Sequence, residues 1–349
     1  MEKIRNFIKV VSVVLLLGGA VILFDPSLSN SAEKWRFKFI TQEPPNSLIN
    51  TQYWLWWCDR VEQLSGGAVK FDKFPGEQLV KGADIYEAVR DNIAQAGNFL
   101  IPYESGLIAL PTIKELPFSF VDFDTNYKMW RKFMEAGLND YLNSYGIQVV
   151  SDMTLTPYGF WTSKKWGPIK RLEDVKGCKV RSPGGYVSKA LEALGAVPIS
   201  IPSPEAYTAM ERGTLDCISM VESSQIAFRL HEVTAYITRA DYGTTGVPVM
   251  VNLKTWKSLP KNIQDIMFQA GRDAEVNIAR EFVKYQKEVV DPTVLKQGIQ
   301  MISLPKEEKE RMKKACAPVW DEWLAKNGPI SNGLGQKMFN IVVETVGKP

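Results

Sequence analysis

One histidine, His231, four cysteines (Cys58, Cys178, Cys217, Cys316) and scattered carboxylates are the residues of this 349-residue chain that could carry covalent or acid–base chemistry. A lone histidine cannot build a two-histidine metal site, and it leaves a histidine-dependent nucleophile a single candidate base. His231 sits between Leu230 and Glu232, which reads as a surface or cap position with no nucleophile attached to it. No Cys-x-x-Cys, no Gly-x-Ser-x-Gly elbow and no Gly-x-x-x-x-Gly-Lys-Ser/Thr loop occurs. The glycine pairs at Gly66 and Gly184 lack dinucleotide-loop spacing, and carboxylates such as Glu104 and Glu115 are what a charged surface supplies. The expectation is therefore no enzyme: no catalytic residue, no metal and no cofactor. Arg181, at the end of Cys178-Lys-Val-Arg181, offers different chemistry. A guanidinium presents two parallel N–H donors to one carboxylate and keeps its charge at any working pH. Spacing alone fits an ion pair with a protein carboxylate at a strand end at least as well.

The elements that must position such a group alternate. Trp35–Ile40 has the period of a strand, and Trp54, Trp57, Cys58, Val61 and Leu64 have the spacing of a helix that Ser65-Gly66-Gly67 ends. Val69–Asp72, Ile93–Phe99 and Ile147–Val150 read as further strands. Ile85–Val89 reads as a short helix, and Asp124 as the cap of another carrying Tyr127, Trp130, Met134 and Tyr141. The rhythm returns in Cys178–Arg181, a helix over Val187–Leu194, Val197–Ile201, a helix begun by Ser203-Pro204, and Leu215–Met220. Leu259-Pro260 opens a helix whose apolar stripe runs from Ile263 to Val289, stopping at Pro292; at ~1.5 Å per residue it is about 45 Å long. Alternation of this kind predicts α/β lobes with mostly parallel sheets flanked by helices. Composition agrees: 45% hydrophobic and 23% charged is ordinary for a globular chain, and 42 basic against 39 acidic residues give no basic excess for a nucleic-acid partner.

The first 32 residues read as an export signal. Lys3, Arg5 and Lys9 precede the uncharged run Val10–Phe24, and Ser29-Asn30-Ser31-Ala32 supplies small residues at the exit. No cysteine stands there, so a lipid anchor is not expected; an uncleaved anchor is the alternative. Either way the body lies outside the cytoplasm. Four cysteines there permit three pairings. A chain this long buries enough core without staples, so buried free thiols are expected, with Cys178–Cys217 the first pairing to test.

Five segments, in order, resemble the DctP family of extracytoplasmic solute-binding proteins of TRAP transporters. They are Ser65-Gly-Gly-Ala-Val-Lys-Phe71 with Phe74-Pro-Gly-Glu-Gln-Leu79; Leu116-Pro-Phe-Ser-Phe120; Leu172-Glu-Asp-Val-Lys-Gly-Cys-Lys-Val-Arg-Ser-Pro183; Pro204-Glu-Ala-Tyr-Thr-Ala-Met-Glu-Arg-Gly-Thr-Leu-Asp216; and Val249–Asn252 with Trp256 and Leu259-Pro260. The resemblance covers essentially the whole chain after residue 32. It implies a periplasmic protein of two lobes: residues 33–156 with 247–285, and 157–246 with 286–349. A small organic acid would be held in the cleft between them, and the small and large subunits of a membrane permease would receive it. A monomer or weak dimer is expected. Arg181 holds the position of the arginine that grips the ligand carboxylate. A sensing domain or a secreted enzyme on the same fold is the alternative.

Two positions depart from the family pattern. Trp161 stands where many members have a second arginine, and Met220 where many acid binders have an asparagine. Both replace polar donors by apolar, polarisable groups. The expected ligand thus has one carboxylate and a less polar body, such as a 2-oxo, hydroxy or aromatic acid. Further candidates follow strands, where open α/β sheets bind ligands: Gln42, Asn98, Tyr103, Gly184, Ser203 and Tyr242. Glu222 could receive a ligand hydroxyl or amine.

Overall fold

The computed structural model describes residues 34–349, so the expected export signal lies outside the described residues. Two mixed sheets form the molecule. The first has the order β2-β1-β3-β10-β4, built from β1 (Trp35–Ile40), β2 (Val69–Phe74), β3 (Ala96–Asn98), β4 (Ile147–Ser151) and β10 (Val249–Asn252). The first three are mutually parallel, and β10 runs antiparallel between β3 and β4. The second sheet has the order β11-β9-β5-β8-β6-β7. Its strands are β5 (Tyr158–Thr162), β6 (Lys179–Ser182), β7 (Val197–Ser200), β8 (Cys217–Ile218), β9 (Tyr236–Gly243) and β11 (Gln300–Ile302). Here β5 is antiparallel to both β8 and β9, while β6 is parallel to β7 and β8.

Helices cover the sheets. Around the first are α1 (Leu55–Leu64), α2 (Ile85–Arg90), α3 (Phe123–Ala136), α4 (Leu138–Asn143) and α8 (Leu253–Ser258); with the second run α5 (Gly185–Ala193), α6 (Ala206–Glu211) and α7 (Glu222–Ala227). The cap of α3 is Asp122 and not the expected Asp124: its carboxylate accepts the backbone N–H of Thr125 at 2.8 Å, leaving Asp124 inside the first turn. The aromatic side chains legible in the sequence make the first core. Phe39 and Phe71 pack on Trp57, whose indole N–H donates to the Met267 carbonyl at 3.1 Å.

Met267 belongs to the long helix, which does not stop at Pro292. α9 (Lys261–Tyr285) passes through a π turn at Gln286–Val290 into α10 (Asp291–Lys296), making 36 residues in all. Proline has no N–H and its ring crowds the preceding turn; the wider π turn just before it absorbs both defects, and the rod continues. The last helices are α11 (Lys306–Asn327) and α12 (Ile330–Val346). α11 packs on α5, and α12 lies against α3 beside the first sheet, although residues 286–349 were expected with the second lobe.

The chain crosses between the sheets twice in extended form, from β4 to β5 and from β9 to β10. The crossings are bonded side by side: Leu155 N–H donates to Thr245 O at 2.9 Å and Val247 N–H to Met153 O at 2.8 Å. Beneath them Lys114 forms a buried ion pair with Asp152 and lies 4.9 Å from the Trp130 ring centroid. Burial holds this lysine well below the ordinary lysine range, against the pull of Glu275. All four cysteines are buried free thiols; Cys217 pairs with Val180, two residues from Cys178, on neighbouring strands.

Gly271 of α9 allows the long helix to sit directly on β4: a Cβ there would stand 2.4 Å from the Val150 carbonyl oxygen. Alanine gains up to about 1 kcal/mol in helix propensity, but overpacking a backbone contact costs roughly 1–3 kcal/mol and prevails. We expect Gly271→Ala to lower the urea midpoint; a rise would mean that the helix can step back freely.

Candidate functional site

Arg181 comes from β6, held between β7 and β8 in the second sheet. The strand keeps its backbone fixed and sends the side chain inward, where it is 2% exposed. Every contact of the guanidinium is with a neutral acceptor. Nε donates to the Ile201 carbonyl at 3.0 Å, and one terminal nitrogen to the Ser219 carbonyl at 3.5 Å. The other reaches Ser203 Oγ at 3.1 Å and the Tyr103 hydroxyl at 3.4 Å. Among the described residues no carboxylate comes within ion-pair distance of it. These bonds aim the group, but they leave its charge without a counter-charge.

Around it is a narrow cavity of about 30 Å³ between the lobes. Gln42, Glu43, Trp54 and Tyr103 line it from the first lobe; Arg181, Ser203, Met220 and Ser224 from the second; and Leu155, Thr245 and Val247 from the crossing strands. The Tyr103 hydroxyl also accepts the Ser203 backbone N–H at 3.1 Å, so it joins the lobes at the charged end of the cavity.

Glu43 is the member that the sequence reading missed, although it adjoins Gln42. It is 4% exposed, and Oε1 accepts the Ser224 hydroxyl at 3.0 Å across the cleft, while Oε2 is buried without a hydrogen-bond partner. Burial pushes its carboxyl up to about 7, against the Ser224 and Ser47 hydroxyls and the charge of Arg181. An acidic residue directly after the first strand was the available signal. A second cross-lobe carboxylate, Glu115, accepts the Tyr186 backbone N–H at 2.7 Å at the start of α5; burial pushes it up to about 8. A Cβ on Gly185 would lie 2.2 Å from that carboxylate, so this approach requires glycine.

The structure thus gathers Arg181, Met220, Gln42, Tyr103 and Ser203 around one cavity. Gly184 lies with Tyr103 on a wider depression beside it. The remaining candidates are placed elsewhere. Trp161 is fully buried in the apolar core, paired across β5 with Ile218 and Ile237, its indole N–H unpartnered, and it is outside the lining. Both faces of this sheet are covered, so an apolar residue on β5 has a core to enter on either side. Tyr242 stacks on Phe160, ring centroids 4.9 Å apart, and its hydroxyl bonds Ser219 Oγ. Glu222 is taken by Arg239, at 2.9 and 2.8 Å, and by the Gln286 amide at 2.8 Å. Asn98 is buried at the end of β3, its amide unpartnered, outside the lining. His231 sits in a turn away from the cavity, and burial lowers its pKa.

Residues 39–327 match the model of the bacterial extracellular solute-binding protein family 7, DctP. The chain belongs to that family. A solute-binding protein of Albidiferax ferrireducens is 27% identical over 278 residues, 76% of this chain and 79% of that one. Among solved structures, a Bordetella pertussis extracytoplasmic solute receptor binding pyroglutamic acid superposes with a TM-score of 0.78 at 22% identity, covering 88% of this chain and 99% of its own. A TRAP solute-binding protein from Rhodoferax ferrireducens in complex with benzoate gives 0.80 at 22%, covering 89% and 97%. The two-lobed α/β fold of this DctP protein is the fold of those receptors.

Its buried carboxyls fix a sign for stability against pH. Glu43, Glu115 and Glu275 (up to about 7, through burial) keep protons in the folded protein after an unfolded glutamate, near 4.5, has released them. Their contribution is complete below about 4.5 and is lost as pH rises through 7 to 8. The ligand-free protein should melt on the order of 5 °C lower at pH 8.5 than at pH 5.5. Glu115→Gln should flatten that slope; a melting temperature that climbs across the interval would contradict the assignment.

Proposed function

We propose that this protein is the extracytoplasmic receptor of a TRAP-type secondary transporter. It captures one small carboxylic acid between its lobes and presents it to the small and large subunits of the membrane permease. The observation that carries the reading is the Arg181 guanidinium, buried, aimed by neutral acceptors and lacking a carboxylate partner. A buried charge is costly until it is paired, and a bidentate carboxylate is the counter-ion that its geometry fits. The apolar lining from Trp54, Leu100, Leu155 and Met220 favours a body without a second carboxylate. Relatives whose ligands are pyroglutamate and benzoate, each with one carboxylate, support that choice. With the acid bound, residues from both lobes touch one molecule, so binding and closure are a single equilibrium. Met220, Gln42, Tyr103 and Ser203 are assigned to ligand contact with Arg181; Trp161, Tyr242, Glu222 and Asn98 support the walls around them.

A thermal-shift panel of small carboxylates, with succinate as the dicarboxylate control, tests this directly, because a ligand that binds the folded state alone stabilises it by RT ln(1 + [L]/Kd). One or more monocarboxylates should raise the melting temperature, and Arg181→Ala should weaken that acid by roughly 10²- to 10³-fold while the protein stays folded. An unchanged response in Arg181→Ala would sink the carboxylate clamp.

A further inference from the structure

Two polar groups in the cavity are left wanting, and they are complementary to each other without touching. Arg181 has donors and a charge to spare. Glu43, once ionised above about pH 7, has a free acceptor: Oε1 is spent on Ser224, and Oε2 is buried and unpartnered. Leaving such an oxygen unpaired costs about 1–3 kcal/mol or more, and native interiors rarely carry that cost without a use. The two groups are separate in the cavity wall, so neither neutralises the other through an ion pair. Gln42 Oε1 is also unpartnered, but it is turned onto the backbone of Gly82, where an added Cβ would lie 2.2 Å from it. That leaves Glu43 as the cavity-lining carboxyl with an unpartnered oxygen.

Resting on the receptor reading above, we propose that Glu43 is a specificity residue and that the solute is a small monocarboxylate with an N–H donor, its carboxylate on Arg181 and its N–H on Glu43 Oε2. Both buried groups are then satisfied by one molecule. An acid of the same shape without N–H satisfies Arg181 and leaves Glu43 Oε2 unpaired, as a hydrogen-bonding site rejects an analogue that lacks the matching group. The Ser224 hydroxyl steadies Glu43 through Oε1 and leaves Oε2 without a hydrogen-bond partner. The shared chemistry is the N–H, which a lactam or an ammonium group can provide.

Calorimetric titration of the protein at pH 8.5, where Glu43 is ionised, with three five-membered-ring acids tests the idea: pyroglutamate (lactam N–H), proline (ammonium N–H) and cyclopentanecarboxylate (no N–H), with benzoate as a flat acid of another shape. At least one N–H acid should bind at least about tenfold more tightly than cyclopentanecarboxylate. Glu43→Gln keeps an acceptor for Ser224 and the side-chain shape but turns a donor toward the ligand N–H. It should bring the two kinds of acid within about threefold of each other. The wild-type comparison alone decides the matter if that variant is unstable. Cyclopentanecarboxylate binding as tightly as both N–H acids, or a preference that persists in Glu43→Gln, overturns the role of Glu43 and leaves the receptor reading intact. Failure of all four acids to bind overturns the receptor reading for such ligands, and the Glu43 role with it.

Discussion

A positive charge buried without a negative partner is the constraint from which the rest of this molecule follows. A lone arginine inside a protein is tolerated only where its hydrogen bonds are met and its counter-ion arrives from outside. Here two backbone carbonyls and two hydroxyls hold the guanidinium in place. None of them cancels its charge, and that residual field is what an anion in the cavity would feel. β6 contributes rigidity: its backbone is hydrogen-bonded on both sides, to β7 and β8, which fixes where the side chain starts.

Everything that shapes the cavity then serves to let an anion in and afterwards exclude water. The sheets are joined by two hydrogen-bonded crossing strands and by the long helix. Polar contacts between the lobes on the cleft side include Tyr103 with Arg181 and Ser203, Glu43 with Ser224, and Glu115 with the start of α5, where Tyr186 also packs on the first lobe's apolar core. Individually these are worth little, since each exchanges with water when the cleft opens. A ligand that bridges Arg181 and the first-lobe wall adds its own bonds to that set, and can thereby decide whether the lobes stay together.

Much of this was legible in the sequence, for identifiable reasons. The strand–helix alternation marked both sheets, the rule that ligands sit beyond strand ends led to Gln42, Tyr103 and Ser203, and a departure from the family pattern led to Met220. What the sequence hid was direction. Trp161 occupies a strand whose two faces are both buried, so alternation does not tell core from cleft. Tyr242 and Glu222 also follow the chemistry of ligand binding, yet Phe160, Ser219 and Arg239 claim them, and those partners are remote in sequence. Glu43 was hidden by its neighbour: a loop of Thr41-Gln42-Glu43-Pro44-Pro45 does not reveal which side chain turns inward until its backbone path is known. Pro292 misled for another reason, because a π turn upstream allows a proline inside a helix that simple periodicity would end there.

The most direct measurement is a crystal structure of the protein with a bound acid selected by the binding panel. The account predicts a carboxylate whose two oxygens lie about 2.7–2.9 Å from the Arg181 terminal nitrogens, enclosed by side chains of both lobes. A ligand that turns its carboxylate away from Arg181, or that binds outside the cavity while Arg181 keeps its neutral contacts alone, would contradict it.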